Sequence, residues 1–116
     1  MKIAIFEQVG KRCMIKEDGQ RIYEAIHGPL LDGQKVTLDF AGVTQVASPF
    51  FNFAIGQLLK DIAEQTVREN LVIENLNPTG KMIVERVIEN AARYHANPDY
   101  RQIVDDILES QAKESV

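Results

Sequence analysis

The stretch from Val36 to Leu59, VTLDFAGVTQVASPFFNFAIGQLL, decides how the rest of the chain is read. Val36, Leu38 and Phe40 alternate with Thr37 and Asp39, the period-2 pattern of a strand over Lys35–Phe40. Ala41-Gly42 turns the chain, and Val43 and Val46 offer apolar anchor points. Ser48-Pro49 then opens a helix, with an acceptor side chain at the cap and proline at the first helical position. Phe51, Ile55, Leu58, Leu59 and Ile62 share one stripe about 100° wide, which predicts a helix from Pro49 to about Gln65. The end of a strand feeding the start of a helix is the usual address of sites in α/β proteins.

On either side the pattern repeats. Ile3 and Ile5 alternate with Ala4 and Phe6 as a first strand, and Gly10-Lys11-Arg12 reads as a turn. Cys13-Met14-Ile15 is a second short strand or a lead into a helix, and an antiparallel strand near 9–15 fits the pattern. Ile22, Ala25 and Ile26 recur at helical spacing, and Gly28-Pro29 is expected to stop that helix. Leu71, Val72 and Ile73 read as a central strand, apolar on both faces. Asn77-Pro78 and Asn97-Pro98 each predict a helix start. The first helix carries Ile83, Val84, Val87, Ile88 and Ala91; the second carries Tyr100, Ile103, Val104, Ile107 and Leu108. The polar tail from about 110 is expected to fray. The order β-α-β-α-β-α-α predicts one α/β domain over 1–116, with a small, mainly parallel, four-stranded sheet covered by about four helices.

Composition narrows the function. The chain has 116 residues, of which 45% are hydrophobic and 26% charged, and these values predict a packed core. The net charge is −4, with no basic patch of the kind a phosphate backbone requires, so nucleic acid is not an expected partner. The single cysteine, Cys13, has no internal partner and fits a reducing compartment. The opening MKIAIFEQVGK lacks the apolar core of a signal peptide, and no apolar run approaches the ~18 residues of a membrane span. The expected location is the cytoplasm, away from the membrane.

Segment 36–59 resembles the STAS family, which includes bacterial anti-sigma factor antagonists. The shared features are a strand ending in Leu38-Asp39, the apolar Phe40, the small Ala41, Gly42-Val43, a short loop, and Ser48 opening a helix that carries Gly56 and Leu58-Leu59. It also resembles STAS-like domains of unknown function, in which a serine-rich turn runs into phenylalanine and a helix that carries a glycine. The resemblance implies a cytoplasmic regulatory domain without cofactor. The implied partner is a protein such as an anti-sigma factor or a histidine-kinase-type ATPase. At the turn, only Ser48 is shared with the anti-sigma factor antagonists. Anti-sigma factor antagonists carry Asp-Ser-Ser-Gly there and take phosphate on the second serine. Here the four positions are Ala47, Ser48, Pro49 and Phe50, so their phosphorylation switch is not implied.

Each candidate residue has two readings. Ser48 is a phosphorylation or anion site at a helix N-terminus, or a plain N-cap. Phe53 lies about 200° from Phe51 at ~100° per residue and shares a face with Gly56, Gln57 and Lys60. It is either a partner surface or covered by a neighbouring helix. Asp39 is a polar site residue at a strand end, or a carboxylate capping a loop amide or pairing with a nearby base. Arg12 is placed to meet Asp39 or an anion. Asn77-Pro78-Thr79-Gly80-Lys81 is no phosphate loop, because Asn75 replaces the earlier glycine and Met82 the hydroxyl residue. His27, His95 and Cys13 lack the spacing of a zinc site. Glu85, Arg86, Glu89 and Arg93 read as i,i+4 charge pairs.

The leading expectation is therefore a non-catalytic protein-binding domain using Ser48, Pro49, Phe50, Phe53, Gln57 and Lys60. The alternatives are a small anionic-ligand binder or enzyme using Asp39 and Ser48, and a self-associating homodimer with Phe53 in its interface.

Overall fold

The strand at Val36–Asp39 (β3) is the middle of a parallel three-stranded sheet, flanked by Lys2–Ala4 (β1) and Leu71–Glu74 (β5). Ile3 lies opposite Leu38 and Leu38 opposite Ile73, while Val36 lies opposite Leu71. These apolar residues share one face, over which the helices pack. The opposite face carries Lys2, Thr37, Asp39, Val72 and Glu74. The computed structural model describes residues 1–96. The expected helix from Asn97-Pro98 and the polar tail lie outside the described residues.

A second sheet replaces the expected fourth strand. Arg12–Cys13 (β2) pairs with Gln45–Val46 (β4), and the pairing is parallel, not antiparallel. Two-residue strands carry no periodic signal, which is why only a possible strand was legible near residue 13. Where alternation predicts strand up to Phe6, the chain instead turns into a one-turn helix, Ile5–Val9 (α1). Ile5 and Val9 at i,i+4 turn toward the core, while Phe6 stays exposed.

Lys16–Leu31 (α2) runs through Gly28-Pro29 instead of stopping there. Pro29 lies inside the helix and has no amide to give the Ala25 carbonyl, and the helix ends two residues later. The closure comes at Gly33, whose φ of +82° is glycine's territory. The Gly33 amide donates to the Leu30 carbonyl at 3.0 Å and the Gln34 amide to the Pro29 carbonyl at 2.9 Å, the paired bonds of a Schellman ending. Ile22, Ile26 and Leu30 fill its buried stripe.

The single helix expected from Pro49 to Gln65 is three elements: Ser48–Ala54 (α3), a 3₁₀ helix at Gly56–Lys60, and Glu64–Asn70 (α4). Gln57 supplies the reason. In a continuous helix its backbone amide would bond the Phe53 carbonyl, but its side-chain Nε2 does so instead at 2.8 Å. The Leu58 amide then bonds the Ile55 carbonyl at 3.0 Å, an i to i+3 step, and Gly56 lowers the helical preference further. The stripe itself holds: Phe51, Ile55, Leu58, Leu59 and Ile62 are all buried. Pro78–Ala96 (α5) begins as the sequence predicts, with Asn77 Oδ1 accepting the Gly80 amide at 2.7 Å.

Candidate functional site

The turn Ala47–Pro49 is set by the small sheet. The Thr44 and Gln45 amides both donate to the Lys11 carbonyl, at 2.8 and 3.2 Å, and the Ala47 amide donates to the Cys13 carbonyl at 2.9 Å. These bonds hold the entrance of α3 beside the entrance of α2. Ser48 is the first helical residue, and no side chain caps this helix end, so the capping role expected of Ser48 is not seen. Pro49 is half-buried. Phe50 is fully buried, packed edge-to-face on Phe51 with ring centroids 5.2 Å apart. It serves the core, and the expected contact surface loses it.

Phe53 is covered in part by a neighbouring helix. α2 crosses α3 at Gly19, where an added Cβ would meet the Phe50 carbonyl oxygen and stand 3.1 Å from the Phe53 Cβ. The half-buried Phe53 lines an open depression of about 400 Å³ together with Lys16, Glu17 and Gln20 of α2. Gln57 is tied into the same seam, donating to Gln20 Oε1 at 2.7 Å. Lys60 is exposed at the end of the 3₁₀ helix. Gly56 meets α5, where a Cβ would approach Val87 Cγ1 at 3.3 Å. Met14 and Ile15 were missing from the expected surface. Each is 38% exposed, and they sit between Cys13 and Lys16, next to the turn.

Asp39 takes the capping and pairing role. Its Oδ1 accepts the Ala41 amide at 2.9 Å and Asn75 Nδ2 at 2.8 Å, and Lys2 Nζ stands 3.9 Å from Oδ2. The hydrogen bond from Asn75, then that from Ala41, holds this carboxyl below its ordinary range, with Lys2 adding charge. Asn75 reaches it with φ at +59°, a conformation asparagine tolerates better than most residues. The base that approaches Asp39 is Lys2; Arg12 stands in β2, in the other sheet. The turn behind Asp39 closes with the Val43 amide on the Phe40 carbonyl at 3.0 Å. Gly42, at φ +89°, lies under the Phe6 ring.

The remaining reactive groups are engaged or inert. Burial, then the charge of Asp18, pushes the Cys13 thiol up to about 12. His27 Nε2 meets both oxygens of Asp61, at 2.8 and 3.0 Å. Glu85 pairs with Arg68 of α4, while Glu89 and Arg93 keep the i,i+4 spacing at 4.0 Å. Among the described residues, no three of His, Cys, Asp and Glu gather as metal ligands, and no helix is long and apolar enough to cross a membrane.

Three parallel strands under helices, with serine opening the helix beyond the middle strand, define a small α/β domain of the STAS-like kind. The family model for the STAS-like domain of unknown function matches residues 18–81, more than half of the chain, and the chain belongs to that family. The matched part runs from α2 into α5 and leaves out β1 and β2. No curated protein and no solved structure matches the chain.

Proposed function

We propose that this chain is a non-catalytic regulatory domain that binds another protein along the seam where the 47–49 turn meets α2 and α3. The carrying observation is Phe53. It is a large aromatic left half-open in a depression it shares with Lys16, Glu17 and Gln20, beside the exposed Met14 and Ile15. Aromatic and methionine side chains are enriched in interfaces, and a part-buried aromatic needs little ordering to bind.

Catalysis has less support. The Asp39 carboxyl is held low by donors from Asn75 and Ala41, and a weak base is a poor general base. The Cys13 thiol is buried and remains protonated near neutrality. Ser48 opens a helix of only seven residues, which offers an anion little beyond a fraying end. The partner class follows from the family resemblance: a regulatory protein such as an anti-sigma factor or a histidine-kinase-type ATPase, met in the cytoplasm. The free, buried Cys13 suits that compartment.

Affinity capture from an extract of the native cell tests the reading. The baits are the wild type, Phe53→Ala, Lys16→Glu and a control on another surface, Met82→Lys. One protein should be captured by the wild type and the control and lost from the other two. Truncating an anchor residue costs 2 kcal/mol or more, roughly thirtyfold in affinity. Identical capture by all four baits would sink the proposal.

A further inference from the structure

β5 is an edge strand. Among the described residues it pairs only with β3. The Glu74 carbonyl accepts the Phe40 amide at 2.9 Å, so Glu74 and, two residues earlier, Val72 direct their main-chain groups at β3. Leu71 and Ile73 therefore direct theirs away from β3, to the side where no strand pairs among the described residues. Lysine, proline or a cover usually blunts such an edge. The run Leu71-Val72-Ile73-Glu74 has no lysine or proline, and its one charge leans back to Lys2 Nζ at 3.7 Å.

The edge is apolar on both faces. Val72 is 40% exposed on one face. On the other, Leu71 and Ile73 border a recess of about 190 Å³ with Val67, Val84 and Ile88. Arg68, gripped by Glu64 and Glu85 at 2.8 and 2.9 Å, stands at its rim.

We propose that this edge receives a second copy of itself, β5 against β5, antiparallel about a twofold axis at Val72. Side chains must stay on matching faces, which leaves a twofold centred on Val72 or on Ile73. Centring on Ile73 sets the Glu74 carboxylate against Val72 of the partner copy. Centring on Val72 sets Leu71 opposite Ile73 of the partner copy, Val72 opposite its own counterpart, and Glu74 toward Asn70. Only the second register joins apolar to apolar and brings the carboxylate to an amide donor. The outward groups of Leu71 and Ile73 then exchange four main-chain hydrogen bonds across the axis. The Leu71–Ile73 pairs extend the apolar surface past each recess. The two three-stranded sheets become one of six strands. A contact between two four-residue edges belongs to the small, reversible class of interface.

The test is analytical ultracentrifugation of the full chain up to about 1 mM, the range of weak association, combined with oxidative cross-linking. The wild type should dimerise reversibly. Val72→Lys sets two like charges face to face and should weaken the dimer by about tenfold or more while leaving the fold intact, since Val72 is exposed. Val72→Cys should give a covalent dimer on mild oxidation. In a non-hydrogen-bonded antiparallel pair the Cα atoms sit about 4.5 Å apart, within disulfide range. The wild type, with Cys13 buried, and Met82→Cys on another surface should not cross-link. A chain that stays monomeric throughout, or that cross-links equally from 72 and 82, overturns the proposal. So does a dimer that Val72→Lys leaves unchanged.

Discussion

Gly19→Ala should destabilise the domain even though it places a better helix former in the first turn of α2. Gly19 is buried in α2, with Phe50 and Phe53 of α3 against it. In an open helix the exchange would stabilise by about 1 kcal/mol. Here the new methyl group would overlap the Phe50 carbonyl oxygen, a backbone atom of a second helix, and would sit 3.1 Å from the Phe53 Cβ. A backbone oxygen cannot swing aside as a side chain does, so α2 and α3 must part. Overpacking of this kind costs about 1–3 kcal/mol, and a rigid neighbour puts it at the upper end. The net effect is a loss of about 2 kcal/mol. With a urea slope of about 2 kcal/mol per molar, the unfolding midpoint should fall by roughly 1 M at unchanged slope. Far-ultraviolet circular dichroism in urea measures it. A midpoint equal to or above that of the wild type would show that α2 and α3 do not meet at Gly19, and the seam around Phe53 would be wrongly drawn.

Three further outcomes follow from single contacts. Asn75→Ala removes the main cause of the lowered Asp39 pKa, so carbon-detected NMR should show that carboxyl titrating closer to its ordinary range. The sign is fixed: a depressed carboxylate adds stability above its unfolded pKa of about 3.9 and loses it as pH falls through the folded value. Asn75→Ala should therefore narrow the acid-sensitive window, and an unmoved Asp39 titration would refute the pairing. Cys13, buried and pushed up to about 12, should resist an aromatic disulfide reagent at pH 8 until the protein is unfolded; rapid labelling of the native protein would contradict this. Asn77→Ala removes the acceptor for the Gly80 amide and should cost about 1 kcal/mol in urea unfolding, whereas no cost would mean the α5 cap is idle.

Local, periodic signals were legible in the sequence, and tertiary ones were not. The strand at Val36–Asp39 and the starts of α3 and α5 are written in alternation, proline and an asparagine acceptor, all of which act within a few residues. The buried stripe from Phe51 to Ile62 was readable even though its helix is broken, because core facing survives a switch to 3₁₀ geometry. The break depends on the Gln57 side chain choosing the Phe53 carbonyl and Gln20 of another helix, which no local pattern reveals. The Ile3–Phe6 alternation hid α1, although Ile5 and Val9 at i,i+4 carried the signal. Phe53 does oppose Phe51 on the helical wheel, yet that side belongs to α2, admitted by Gly19. Gly19 looked unremarkable in sequence because its role lies in a contact with residues more than thirty positions away. Asp39 was placed correctly at a strand end. The donor Asn75 and the counter-charge Lys2 are brought by neighbouring strands, so only the topology assigns them.

In the proposed function, the Phe53 seam is where this domain meets another protein. A photo-crosslinking amino acid placed at Lys16, on the rim of the depression, tests it in living cells. One discrete cross-linked protein is expected from position 16, absent when Phe53→Ala is introduced and absent from a probe at Met82. Equal cross-linking from 16 and 82, or none from 16 in cells where the domain is expressed at its native level, would contradict it.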